Sequence, residues 1–91
     1  MRFVYANAFQ SMWKKLPTNR REKAREALLK LEEALKGGKK PEGLGLKKLR
    51  IPFWEVRTNL KDRILFSLEG DLITLALIGN HDEVHRFLRS H

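Results

Sequence analysis

A chain of 91 residues with 42% apolar content and a net charge of +8 has material for one thin core, and one domain over residues 1–91 is expected. It contains no cysteine, which excludes disulfides and thiolate metal sites. No uncharged apolar run approaches the roughly 18 residues of a membrane span. The opening MRFVYANAF lacks the long apolar stretch of a signal peptide, so the expected location is cytoplasmic, with no membrane partner. The charge is unevenly placed: residues 1–50 carry 14 Lys/Arg against 5 Asp/Glu, and residues 51–91 carry 5 against 6. A basic N-terminal half favours polyanions or an acidic protein partner.

Residues 2–5 alternate as a short strand, with Phe3 and Tyr5 on one face and Val4 on the other. Phe9, Met12, Trp13 and Leu16 recur at helical spacing until Pro17 stops them. Asn19, followed three residues on by Glu22, has the form of a capping box. Ala24, Ala27, Leu28, Leu31, Ala34 and Leu35 continue an apolar stripe until Gly37-Gly38 ends it. The two helices are expected to form a hairpin, and Trp13, which completes its stripe, belongs to the core. Residues 39–45 read as a polar loop, and residues 46–52 lead into a sheet.

Residues 53–58 alternate, Trp54 and Val56 against Glu55 and Arg57. After a turn at 59–61, residues 63–68 alternate again, Ile64, Phe66 and Leu68 against Arg63, Leu65 and Ser67. Glu69-Gly70-Asp71 is a hairpin turn, and residues 72–78 are apolar enough for a central strand covered on both faces. Residues 80–89 form a last helix with Val84, Phe87 and Leu88 inward, and Asp82 and Glu83 in the first turn, where the helix dipole favours them. The expected order is β-α-α-β-β-β-α. This is an α+β fold: a short N-terminal strand and a helical hairpin packed on an antiparallel sheet with a C-terminal helix.

This alternation puts Glu55, Arg57 and Arg63 on one sheet face, with His81 and His85 near its end. Carboxylate, guanidinium and imidazole on one open face suit cleavage of a phosphodiester, and were the substrate RNA, cut without metal, three roles would be needed. A base takes the 2′-hydroxyl proton, an acid protonates the leaving 5′-oxygen, and cations hold the phosphorane charge. Imidazole titrates near neutrality, and the guanidinium fork binds two phosphate oxygens at once. Arg63 is the expected phosphate clamp, weighed against a plain ion pair with Glu55 or Asp62, and Arg57 is the second cation. Glu55 is a candidate base or an orienting partner of Arg57. His81 is a candidate general acid or base, weighed against a plain helix-start residue with no chemical role, and His85 is a candidate to share the proton transfer or touch RNA. Which group is the base stays open. His81 and His85 have the i, i+4 spacing of a metal pair, but no third ligand accompanies them, so neither metal nor cofactor is expected. Lys14, Lys15, Arg20, Arg21, Lys23, Lys47, Lys48 and Arg50, with Arg25, Lys39 and Lys40, form a basic patch. It suits salt-dependent, sequence-blind contact with an RNA backbone; the alternative is a surface that serves solubility alone.

The order of these pieces resembles the RelE/ParE superfamily of type II toxins over essentially the whole chain. The resemblance is carried by the basic hairpin, the Leu-Lys-Lys-Leu-Arg lead-in and the Trp-Glu-Val-Arg and Asp-Arg-Ile-Leu-Phe strands. A Gly-Asp hairpin and a Gly-Asn-His-Asp-Glu-Val ending complete it. The Gly-Asn-His segment is similar to the Gly-Thr-His of the YafQ-like branch, where the histidine acts in catalysis. The resemblance implies a ribonuclease that cuts messenger RNA, commonly in the ribosomal A site, with mRNA and ribosomal RNA as partners. It also implies a cognate antitoxin, acidic and partly disordered. It aligns Arg63 with the strand arginine that contacts the scissile phosphate, and Arg57 with a basic position on the preceding strand. Glu55 stands where RelE itself has lysine, and His85 near its C-terminal tyrosine. Two other readings stay open: a gyrase-directed inhibitor of the ParE kind, which is not an enzyme, and a homologue that binds antitoxin or ribosomal RNA without cutting.

Overall fold

A computed structural model of the chain describes residues 1–39 and 46–91. In chain order it contains β1 (Arg2–Tyr5), α1 (Asn7–Lys15), α2 (Thr18–Lys36), β2 (Lys47–Arg50), β3 (Phe53–Arg57), β4 (Arg63–Glu69), β5 (Leu72–Gly79) and α3 (His81–Ser90). This is the expected α+β arrangement with one added element. The Leu-Lys-Lys-Leu-Arg lead-in is itself a strand, β2, paired antiparallel with β3 through Lys47↔Glu55 and Lys48↔Trp54. Its lysines hid it, because a solvent-facing edge strand needs no apolar alternation and is protected by charge.

The sheet runs β1-β5-β4-β3-β2, with β1 parallel to β5 and the other neighbours antiparallel. The helical hairpin covers one face. There Phe9, Leu16, Ala24, Leu31 and Leu35 pack against Trp54, Ile64, Phe66, Ile73, Leu75 and Ile78. Trp13, stacked on Phe9 at 5.7 Å, packs against this core too. Helix α3 covers the opposite face, where Val84, Phe87 and Leu88 meet Leu65, Ala76, Leu77, Leu49 and Phe53.

Strand β5 changes phase between these layers. The pairs Leu65↔Leu77 and Phe66↔Leu75 leave Ala76 as an extra residue, a bulge that puts Ala76 and Leu77 together on the α3 side and returns Ile78 to the hairpin side. An unbroken period of two would have turned Ile78 away from the hairpin.

The caps differ from expectation at α2. Thr18 already lies in the helix and Pro17 takes the N-cap position without a side-chain hydrogen bond. Asn19 is thus inside the helix, too late to cap it, and the Asn19/Glu22 capping box does not form. The chain's capping box is at α3, where the Asn80 side chain accepts from the Glu83 amide and the Glu83 side chain accepts from the Asn80 amide, each at 2.9 Å. The C-terminus of α2 ends as expected, with Gly38 in the left-handed region at φ 83°. Of the loop expected at 39–45, only Lys39 lies within the described residues. Among the described residues no helix is long and apolar enough to cross a membrane.

Candidate functional site

The turn between β3 and β4 fixes the first member of the site. Asn59 Oδ1 accepts from the amides of Lys61 and Asp62 at 2.7 and 2.8 Å, and its Nδ2 donates to Asp62 Oδ2 at 2.9 Å. Asp62 is fully buried. Arg20, at the start of α2, donates to both its carboxylate oxygens, from Nε at 2.8 Å and Nη2 at 2.6 Å. The Arg20 guanidinium holds the Asp62 carboxyl below the usual carboxylate range, against the upward pull of desolvation. Helix α2 is thereby tied to the turn that launches Arg63.

From that turn Arg63 points to the α3 face of the sheet, opposite Arg57 in register. Its Nε lies 4.0 Å from Glu55 Oε2, and both side chains are largely shielded from solvent. Its Nη1 lies 2.5 Å from His81 Nδ1. A guanidinium can only donate, so Nδ1 accepts and the imidazole carries its proton on Nε2. Glu55, Arg63 and His81 therefore form a continuous line from the sheet to the start of α3. His85, one helical turn on, brings its ring centroid to 4.1 Å from that of His81.

The two imidazoles open onto a groove of about 420 Å³ lined by His81, Asp82, His85, Arg86 and Arg89. His85 also borders a second groove of about 450 Å³ with Lys47, Lys48, Leu49, Arg50, Leu88 and Arg89. The site is an open, cationic surface rather than an enclosed pocket, a form suited to an extended polyanion.

Arg57 is exposed and turns elsewhere. It lines a groove beside α2 with Lys23, Glu26, Ala27, Lys30, Leu31, Leu46 and Val56, and Glu55 faces Arg63 rather than Arg57. Alternation places Arg57 on the right face, but at the end of β3 none of the described residues on that face holds its side chain.

Several basic residues read from the sequence as a surface are engaged within the chain. Arg20 is bound to Asp62, and Arg21 donates to the carbonyls of Lys14 and Leu16 at the end of α1. Arg50 donates to the Leu88 carbonyl. Lys48 stands over the Trp54 ring at 5.8 Å. Lys14, Lys15, Lys23 and Lys47 are exposed, and Lys40 lies outside the described residues. Sequence reasoning missed the Arg20–Asp62 pair and the Arg50–Leu88 hydrogen bond, since nothing local signals a partner 42 or 38 residues away. It also missed Arg86 and Arg89, whose spacing from His85 on one helix face could have revealed them.

No protein-family model and no curated protein matches the chain by sequence. Solved structures do match by shape. A chain of the RelB–RelE antitoxin–toxin complex from Methanococcus jannaschii superposes with a TM-score of 0.66 at 19% identity, covering 92% of this chain and 96% of that one. For the intact E. coli RelBE toxin–antitoxin complex the TM-score is 0.65 at 18% identity, with 87% and 94% covered. For the YoeB/ParE toxin from Agrobacterium tumefaciens it is 0.61 at 18%, with 89% and 99% covered. The resemblance carried by the sequence motifs thus extends to three dimensions: this chain has the fold of the RelE/YoeB/ParE toxins.

Proposed function

We propose that the chain is the toxin of a type II toxin–antitoxin pair, an endoribonuclease that cuts messenger RNA in the ribosomal A site by metal-independent acid–base catalysis. The observation that carries this reading is the Glu55–Arg63–His81 line with His85 beside it, on a face open to a polymer.

The chemistry follows from the contacts. A scissile phosphate offers Arg63 two anionic oxygens, a better match to its fork than one imidazole nitrogen. When Arg63 turns to the phosphate, the His81 Nδ1 lone pair is released. It can then take the proton from the 2′-hydroxyl as that oxygen attacks phosphorus. His85, entering as imidazolium, delivers a proton to the departing 5′-oxygen. The bond from phosphorus to the 5′-oxygen breaks and a 2′,3′-cyclic phosphate remains. Glu55 orients Arg63, while Lys14, Lys15, Lys23, Lys47 and Lys48 supply ribosomal RNA contacts. The exposed basic surface matches an acidic, partly disordered antitoxin, and the relatives in complexes with antitoxins support that partner. The proposed place of action is the cytoplasm.

The test is induced expression of wild type and His81→Ala in cells, with messenger 5′ ends mapped. New cuts and growth arrest in wild type, both lost in the variant, are expected. Arrest with intact messenger and damaged DNA would replace this reading with gyrase inhibition, and neither arrest nor cutting would leave a chain that only binds.

A further inference from the structure

Helix α3 carries both imidazoles but is thinly anchored by apolar contact. Val84 is its one fully buried side chain, whereas α1 and α2 together bury Phe9, Ala24, Leu31 and Leu35. Its placement therefore depends on polar contacts at its two ends. The N-terminus has the Asn80/Glu83 box and the His81–Arg63 bond. The C-terminus has Arg50.

Arg50, the last residue of β2, donates from Nη2 to the Leu88 carbonyl at 2.5 Å. Its guanidinium stands 5.8 Å over the Phe53 ring, and Phe53 meets Phe87 of α3 edge-on at 5.9 Å. The carbonyls of a helix's last turn lack intrahelical partners and carry the negative end of its dipole. The Leu88 carbonyl accepts from the His91 amide at 3.3 Å, and a cation there adds a second, shorter hydrogen bond and complements that field. Arg50, Phe53, Phe87 and Leu88 thus form one anchor between the β2–β3 edge and the end of α3.

We propose that Arg50 is a positioning residue: it fixes the C-terminal half of α3 on the sheet edge and, through the helix, keeps His85 and His81 in register with Arg63. Its guanidinium serves the helix rather than an RNA phosphate. Released at this end, α3 pivots about its capping box, and His85, further from the pivot, moves more than His81. The catalytic consequence rests on the reading of His81 and His85 as the proton-transfer pair, but the anchoring does not.

Arg50→Met keeps an apolar stem over Phe53 and removes donor and charge; Arg50→Lys keeps both in simpler form. The experiment compares amide hydrogen exchange in the three proteins, together with kcat and KM for cutting messenger on programmed ribosomes. In Arg50→Met the Phe87 and Leu88 amides should exchange about threefold to tenfold faster, as loss of one charge-assisted contact implies. The Leu65 and Leu77 amides should be unchanged. Its kcat should fall by a similar factor with KM within about twofold, and Arg50→Lys should recover most of both losses. Unchanged α3 exchange with a raised KM would make Arg50 a phosphate contact and overturn the proposal. Equal acceleration at Leu65 and Leu77 would make it a general stabiliser and overturn it too. Should the wild type cut no RNA, the ribonuclease reading falls, while the exchange comparison still upholds or overturns the anchor.

Discussion

Arg63 Nη1 lies 2.5 Å from His81 Nδ1, joining β4 to the first residue of α3 across 18 residues of chain. The bond sets the imidazole tautomer and keeps the proposed phosphate-binding fork and the proposed proton acceptor within one substrate's reach. Removal of either should act on chemistry. His81→Ala is expected to slow messenger cutting by about 10²–10⁴-fold, and Arg63→Lys, which keeps charge but loses the fork, by about 10²-fold. Rates from mapped 5′ ends check this; a His81→Ala protein cutting at the wild-type rate would remove His81 from the mechanism.

The Arg20–Asp62 pair predicts a stability effect and its pH dependence. A buried ion pair that loses one partner costs about 3–5 kcal/mol. The Arg20 side chain is 40% exposed, so screening lowers the figure, and Arg20→Met should cost about 2–3 kcal/mol in urea unfolding at pH 7. The folded-state pKa of Asp62 lies below its unfolded value, chiefly through its hydrogen bonds from Arg20. Its contribution is therefore present above about pH 4 and lost as pH falls through the folded value. Wild type should lose stability on acidification through that window, and Arg20→Met should lose less. Parallel acid unfolding profiles for the two proteins would sink the assignment.

Tyr5 is the chain's single tyrosine, so its titration can be read directly by ultraviolet absorbance. Desolvation first, then the hydrogen bond to Glu32 and the charge of that carboxylate, push its hydroxyl up to about 12. Phenolate should appear near that pH rather than near 10, and Glu32→Gln should bring it down partway. A raised folded-state value means the contribution is complete below the unfolded value of about 10 and disappears as pH rises toward the folded one. A wild-type midpoint at 10 would show that Tyr5 is free in solution.

Salt dependence separates the basic residues. Lys47 is exposed, so Lys47→Gln should lower the log–log salt slope of RNA binding by about 1, as one fewer phosphate is neutralised. Arg20→Gln and Arg21→Gln should leave the slope unchanged, because those guanidiniums are occupied by Asp62 and by the end of α1. A slope that falls with Arg20→Gln would mean that RNA competes for Arg20.

The Asn80 cap links helix stability to the site. Asn80→Ala removes the acceptor for the Glu83 amide and should cost about 1 kcal/mol. Cutting should fall as well, since His81 is the next residue. Glu83→Gln, which can keep the reciprocal contact, should be milder by both thermal melting and cutting rate. Equal losses in the two variants would contradict the capping role.

The sequence by itself determined the layers. Trp54, Ile64 and Phe66 face the helical hairpin and Leu65 faces away because period-two alternation and helical stripes are local properties, written in the order of apolar residues. It also determined that Glu55 and Arg63 share a face, for the same reason. Edge strand β2 is hidden behind its lysines, and the sequence offers a capping box at Asn19 where the structure has one at Asn80, because helix starts depend on the exact first residue and Pro17 moves it. Only the tertiary structure decided which cations are free. Arg20, Arg21 and Arg50 look like Lys47 in a charge count, yet each is held by an acceptor that folding delivers: the Asp62 carboxylate, the last carbonyls of α1 and the Leu88 carbonyl. The His81–Arg63 bond was likewise beyond the sequence, since it exists only once α3 docks over β4. Periodicity specifies faces, but long-range pairing is settled by which buried acceptors must be satisfied when the layers close.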